Sequence, residues 1–291
     1  MIALDRQWLK AHPLPPLDPD TDKNERGRVF IVGGSAFVPG ALRLTGEAAL
    51  RAGAGKLQFG TVSEAALLLG MSVPEAGVVG LASNKDGEIA ASAADQVIEH
   101  ASSCNALVLG PGMRGSDECS ALVSRVVEAL PATVAIILDA GAIAAAASCR
   151  DLLRARSGAL ILTPHHGEMA ALSGLDVEQI SEDCEAAARQ VAKDLNAVVA
   201  LKAATTVITS PAGECLQFDG GTPALATGGS GDVLAGIVGG LAARGAGPLV
   251  ATAWSVWAHG KAGEDLAREL GGPGLLSRDL LPRLPKLLNS A

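Results

Sequence analysis

Five short apolar runs recur along the chain: VFIVGG at 29–34, ALVLG at 106–110, VAIILD at 134–139, ALILT at 159–163 and VVALK at 198–202. Each is apolar nearly throughout instead of alternating, the pattern of strands covered on both faces within a parallel sheet. Segments of helical period lie between them. GALRLTGEAALRAGA spaces Leu42, Ala49 and Leu50 for a helix, and SEDCEAAARQVAKDLN begins with Ser181 in an N-cap position and acids in the first turn. TTVITSPAGECLQFDG breaks the rhythm, because two short β-rich runs around Pro211, Ala212 and Gly213 predict a hairpin. From Ser230 onward the pattern is mostly helical, punctuated near its end by Pro273, Pro282 and Pro285. Alternation of strand and helix predicts an α/β fold with a mostly parallel central sheet flanked by helices on both faces. No repeat or long linker divides the chain, so residues 27–291 are expected to form one domain behind a Pro- and Asp-rich surface lead-in at 1–26.

Composition narrows what this layered protein handles. Of 291 residues 35 are Gly, where average usage predicts about twenty, so backbone stands where side chains would otherwise be. Aromatic residues make up 2%, with no Tyr, too few for a platform that stacks unpaired bases. A net charge of −8 leaves no basic footprint for a phosphate backbone. The 48% hydrophobic content excludes disorder of the whole chain, and the glycines follow no collagen period. The opening MIALDRQWLKAHPLPP is broken by charge and proline and does not read as a secretion signal, and no apolar run reaches the length of a membrane span. Cys104, Cys119, Cys149, Cys184 and Cys215 are scattered, without C-x-x-C spacing, which suits reduced thiols in a cytoplasm.

The segment richest in chemistry is ATGGSGDVLAGI. Gly228, Gly229, Ser230 and Gly231 precede Asp232, and an apolar helix starts there. Such a loop turns N–H groups inward and adds a helix dipole, making an anion hole. A carboxylate beside it would repel phosphate unless its task is to take a proton from the attacking group, although Asp is also a common helix cap. LTPHHGE leaves a strand and delivers His165 and His166 beyond its C-terminal end, where open sheets bind ligands. Adjacent histidines diverge and no third ligand is near, so a polar substrate contact fits better than a metal. In ALKAATTVI, Lys202 closes a buried strand and can hold a phosphate, with Thr205 or Thr206 donating hydroxyl bonds. The glycine turns after the strands at 29–34 and 106–110 match neither a dinucleotide fingerprint nor a P-loop, and no G-x-S-x-G nucleophile elbow occurs.

Taken in order, KNERGRVFIVGGS, GALRLTGEAALRAGAGK, ALVLGPGM, ILDAGAI, LTPHHGE, LKAATTVI and ATGGSGDVLAGI resemble the ADP/ATP-dependent NAD(P)H-hydrate dehydratases of the ribokinase-like superfamily. The resemblance implies a ribokinase-like fold and repair of hydrated NADH and NADPH (NADHX, NADPHX) at the expense of ADP, or ATP, with Mg²⁺. It carries the catalytic role to Asp232, contact with the hydrated dinucleotide to Ala41, Gly112, His165 and Asp232, and nucleotide binding to Lys202, Ala203, Ala204, Thr205, Thr206 and Gly228, Gly229, Ser230, Gly231. It assigns no metal ligand. It also implies a cytoplasmic homotetramer working beside a separate NAD(P)H-hydrate epimerase, since the lead-in is too short to hold the epimerase domain often fused ahead of this one. Three positions depart from the family's pattern: Gly141 in DAGAI where an acid is usual, Ala203 after Leu201–Lys202 where Gly is usual, and Arg114 at the last glycine of GPGxG. A ribokinase-like kinase of a small alcohol or vitamin precursor, and a nucleotide-binding relative weakened in catalysis, are the alternatives.

Overall fold

A computed structural model describes residues 1–16, 20–156 and 158–289. Its centre is one sheet of ten strands: β1 (Ile2–Ala3), β2 (Arg28–Val32), β3 (Lys56–Val62), β4 (Ala76–Leu81), β5 (Ala106–Leu109), β6 (Ala135–Leu138), β7 (Leu160–Leu162), β8 (Val198–Leu201), β9 (Thr206–Thr209) and β10 (Cys215–Phe218). They lie in the order β1-β10-β9-β8-β7-β6-β5-β2-β3-β4. Only β9 runs against the rest, in the hairpin turned by Pro211, Ala212 and Gly213. The expected apolar runs are β2, β5, β6, β7 and β8; β5, β7 and β8 are buried at every position, and β6 at every position but Ala135.

Two cores account for that burial, one on each face. Helices Ala41–Arg51, Ser230–Ala243 and Pro248–Leu270 cover one face, where Ile31, Val108 and Ile137 point. Helices Asp117–Ala129 and Cys184–Leu195 cover the other, where Phe30, Leu107 and Ile136 point. Neighbouring residues of one strand thus enter opposite cores, which is why these strands read as unbroken apolar runs.

Three expectations change. The segment before Arg28 is no surface lead-in: β1 extends the sheet beside β10, and helix Arg6–Ala11 buries Leu9 completely and Trp8 nearly so. Leu4, Trp8 and Leu9 sit at helical spacing and fill a gap over the sheet edge, and the Trp254 indole donates to the His12 carbonyl at 2.8 Å. Ser181 does not cap a helix. It lies within Val177–Glu182, and Asp183 caps Cys184–Leu195 by accepting from the Ala186 amide at 2.9 Å. A carboxylate satisfies an N-terminal amide and the positive end of the dipole together, so the next acid displaces the serine. Finally, β3 and β4 add an edge that the apolar runs did not announce, because Gln58, Gly60, Gly77 and Gly80 interrupt them.

Candidate active site

Of three neighbouring parallel strands, β6 and β7 end level with each other and β8 runs two residues further, to Leu201. Leu138 of β6 pairs with Leu162 of β7, which pairs with Val199 of β8. The residues just past β6, β7 and β8 are Asp139, Thr163 and Lys202, and they converge. Thr163 Oγ1 donates to Asp139 Oδ1 at 2.6 Å, and Lys202 Nζ donates to the same oxygen at 3.0 Å. Asp139 is 2% exposed, so its charge depends on these partners. Backbone after it is strained: Ala140 has φ 47°, rare without glycine, and holds the turn that starts helix Gly141–Ala146.

Glu168 adds a second carboxylate 3.9 Å from Lys202. It arrives on helix His166–Ser173, whose capping residue is His165. His165 Nδ1 accepts from the amides of Gly167 and Glu168 at 3.0 and 3.2 Å, which puts the ring proton on Nε2. The Glu168 carboxylate accepts in return from the His165 amide at 2.8 Å. Burial raises the Glu168 pKa against the pull of Lys202. For Lys202, burial alone would lower the pKa, but Asp139 and Glu168, helped by Asp232, hold the ammonium above its ordinary value. Lys202 therefore stays charged with its side chain 22% exposed.

Asp232 stands in the first turn of helix Ser230–Ala243. The chain enters that helix through Gly229 at φ 88°, with no side chain capping the first turn, so the amides there, Gly231 and Asp232 among them, have no intrahelical partner. The loop is pinned from behind. Ser277 Oγ donates to the Gly228 carbonyl at 2.8 Å, and His259 Nε2 lies 3.0 Å from Ser230 Oγ and 3.1 Å from the Ser230 carbonyl. A carbonyl only accepts, so Nε2 carries the hydrogen, and burial pushes the imidazole pKa down to about 4. The loop meets the ionic cluster at Gly231, where an added Cβ would stand 3.4 Å from Lys202 Nζ. Burial, then the nearby Asp139 charge, against the pull of Lys202, raises the Asp232 pKa to about 6.

A cavity of about 730 Å³ opens over this junction. Its lining includes the polar His165, Lys202 and Ser230 with Gly231, and the apolar Leu225, Leu234, Val256 and Phe218 ring. Of the residues singled out for nucleotide binding, Lys202, Ala203, Ala204, Thr206, Ser230 and Gly231 line it. Thr205, Gly228 and Gly229 do not; Thr205 Oγ1 donates to Asp219 Oδ1 at 3.2 Å. On the other side of the glycine loop, Ala41 opens its helix, and a Cβ on Gly112 would stand 2.8 Å from Ala41 Cβ and 3.0 Å from the Val38 carbonyl oxygen. Those two positions are therefore neighbours, brought together from the ends of β2 and β5.

Asp139, Glu168, His259 and Ser277 were not singled out from the sequence. Asp139 had a signal: like Lys202, it is the polar residue that closes an apolar strand. His259 and Ser277 act on a loop about thirty and fifty residues away, and nothing local marks them. The unusual Gly141 also finds a reason, since a Cβ there would come 2.7 Å from the Met113 carbonyl oxygen and 2.8 Å from the Arg114 backbone. Ala203 is not among the described residues with positive φ, so alanine is no strain at that turn.

Among the described residues no three His, Cys, Asp or Glu side chains cluster as metal ligands. Mg²⁺ prefers phosphates and water with one or two carboxylates, and Asp139 and Glu168, 3.0 and 3.9 Å from the cavity-lining Lys202, are the carboxylates that could supply them.

Residues 29–286 match the family model described as NAD(P)H-hydrate dehydratase. An ADP-dependent (S)-NAD(P)H-hydrate dehydratase from Xanthomonas campestris is 44% identical over 97% of this chain and 94% of its own length. The bifunctional NAD(P)H-hydrate repair enzyme of Moorella thermoacetica is 37% identical over 99% of the chain, which spans 54% of that larger protein. A Bacillus subtilis ADP/ATP-dependent NAD(P)H-hydrate dehydratase, crystallised with ATP and Mg²⁺, superposes with a TM-score of 0.80 at 29% identity, over 98% of this chain and 97% of its own. With its sheet, its glycine loop before Asp232 and these relatives, the chain belongs to the ribokinase-like NAD(P)H-hydrate dehydratase family.

Proposed function

We propose that the chain restores NADH and NADPH from their hydrates by spending ADP, with Asp232 as the base that activates the hydrate's ring hydroxyl. The observation that carries this reading is Asp232 in the first turn of its helix, beside the loop amides and within the field of Lys202, which with Ser230 and Gly231 lines the cavity. A carboxyl with a pKa of about 6 is charged at neutral pH yet accepts a proton more readily than an ordinary aspartate. In this reading Asp232 takes the hydroxyl proton as the hydroxyl oxygen bonds to the terminal phosphorus of ADP and the bond to AMP breaks. Amides of Gly231 and Asp232 and the Lys202 ammonium face the charge that builds on the moving phosphoryl group. Phosphate then leaves the ring with the bonding electrons, a neighbouring ring carbon loses its proton, and the double bond of the dihydronicotinamide returns. Bound on the phosphates, Mg²⁺ would neutralise their oxygens, held by Asp139 and Glu168.

The nucleotide lies along the 730 Å³ cavity in this reading, with adenine against Leu225, Leu234 and Val256. The sparse aromatic content suits such an aliphatic seat. The hydrated dinucleotide takes the side of Ala41, Gly112 and His165. The five free cysteines, four of them buried, support a cytoplasmic site of action; among the described residues no helix is long and apolar enough to cross a membrane. An epimerase acting on the opposite hydrate epimer would supply this substrate. Purified protein incubated with NADHX, Mg²⁺ and ADP should regain NADH absorbance, and ATP in place of ADP should serve less well. No recovery with either nucleotide, despite nucleotide binding, would end the dehydratase reading.

A further inference from the structure

The chain holds four Phe, three Trp and no Tyr. Six of these seven side chains are buried, at 9% exposure or less, and the seventh, Phe37, is 77% exposed. It stands in the loop between β2 and helix Ala41–Arg51, and that loop is tied at several points. The Gly34 amide donates to the Pro111 carbonyl at 2.7 Å, the Ala36 amide to the Gly87 carbonyl at 2.9 Å and the Val38 amide to Ser35 Oγ at 3.1 Å. A loop so held keeps its ring in water, a standing cost that a stacked ligand would relieve. The Arg114 guanidinium lies 5.0 Å from the centre of the same ring. Arg114 is the residue at the last glycine of the family's GPGxG turn. Gly115, one residue on, is the position pressed for space, since a Cβ there would come 2.8 Å from Ala144 Cβ. Glu88, 8% exposed, accepts from the Arg114 amide at 3.3 Å and stands 3.9 Å from Arg114 Nε. The two Nη groups make no hydrogen bond among the described residues, in a side chain 66% exposed.

Contacts lead from the glycine loop to this pair. A Cβ on Gly229 would stand 2.5 Å from Leu44 Cδ1, and Leu44 lies in the first turn of the helix that Ala41 opens. Gly112 abuts Ala41 and the Val38 carbonyl, and Phe37 and Arg114 stand next to those positions in the chain. A dinucleotide with its hydrated ring at Asp232 and its middle along Ala41 and Gly112 therefore brings its adenosine end to Phe37 and Arg114. The groups at that end match what the pair offers. A purine has a π face for the Phe37 ring, and a phosphate monoester accepts two parallel N–H bonds from a guanidinium. In a chain of net charge −8 a dianion needs such a local cation. NADPHX carries that monoester on its 2′ oxygen and NADHX does not.

Resting on the dehydratase reading of the site, we propose that Phe37 and Arg114 seat the adenosine end of the hydrated dinucleotide. Adenine stacks on the Phe37 ring and the Arg114 guanidinium holds the 2′-phosphate, so NADPHX binds more tightly than NADHX. Titration calorimetry with each hydrate, in the absence of ADP, tests this on the wild type and two variants. The wild type should bind NADPHX about tenfold or more tightly than NADHX, the effect of hydrogen bonds to a charged group. Arg114→Gln should bring that ratio to about one, chiefly by weakening NADPHX. Phe37→Ala should weaken both hydrates about fivefold or more, the effect of losing a base stacked on a ring, and keep their ratio. Both side chains are exposed, so circular dichroism should report native folds in the two variants. Equal affinities in the wild type would overturn the proposal. So would a wild-type ratio in Arg114→Gln, or wild-type affinities in Phe37→Ala. No turnover enters these readings, so a wild type that restores neither hydrate would end the dehydratase reading while the affinities still decide the seat.

Discussion

On the β6–β8 side of the cleft, Asp139, Thr163, Lys202 and Glu168 hold one another through close ionic and hydrogen-bonded contacts. Beside them the glycine loop is held by neutral bonds from His259 and Ser277, and its one charge, Asp232, makes no hydrogen bond or ion pair of its own among the described residues. The first arrangement fixes charge in place and keeps Lys202 a permanent cation. The second leaves a carboxylate costly to ionise, which is what a proton acceptor needs. One wall binds charge and the other moves a proton, and substitutions should separate the two jobs.

The largest effect is expected at Asp232. Asp232→Asn should lower kcat by about 10²–10⁴-fold, the usual worth of a general base, while ADP affinity by calorimetry changes less than about threefold. The wild-type rate should fall as pH drops through about 6, where Asp232 gains its proton. Stability moves the other way. Because the folded pKa lies above the ordinary 3.8, ionised Asp232 costs the folded state up to about 3 kcal/mol above pH 6 and nothing near pH 3. Asp232→Asn should therefore raise resistance to urea at pH 8 and not at pH 4. Equal urea midpoints at both pH values would show Asp232 to be an ordinary solvated carboxylate.

Lys202→Ala comes next, and its main effect should be on folding. It strands Asp139, 2% exposed, without its cation, at a cost of about 3 kcal/mol, the lower end for a broken buried pair. Adding Asp139→Asn should recover most of that loss, and a double-mutant cycle in urea measures the coupling. Additive losses would mean that the two charges do not depend on each other.

His259→Phe should have the smallest effect, about 1 kcal/mol of stability from the lost bonds to Ser230. Ser230 then loosens the loop amides, so kcat should fall with KM for ADP nearly unchanged. His259→Gln, which can still donate to the Ser230 carbonyl, should restore part of kcat. If both variants lose ADP affinity instead, His259 serves the nucleotide and not the loop.

This contrast also explains what could be read from the chain. Asp232 and Lys202 stand in local patterns, a glycine run before a helix and a polar residue closing a strand, and both patterns hold in the fold. Asp139 closes its strand just as Lys202 does, yet its importance comes from the register of three neighbouring strands, which no single segment carries. His259 and Ser277 belong to helices whose own periodicity says only that they pack. At the sheet edges the apolar rule itself gives out: β3 and β4 are interrupted by Gln and Gly, and β1 is two residues long, so none reads as a buried parallel strand.

Coupling between phosphoryl transfer and loss of water is the central claim, and stoichiometry tests it most directly. With NADHX limiting and ADP in excess, AMP, phosphate and NADH are counted in one reaction. One AMP and one phosphate for each NADH recovered is the predicted result. NADH recovered without AMP would contradict the account, because Asp232 would then be removing water from the hydrate with no phosphoryl group to carry it.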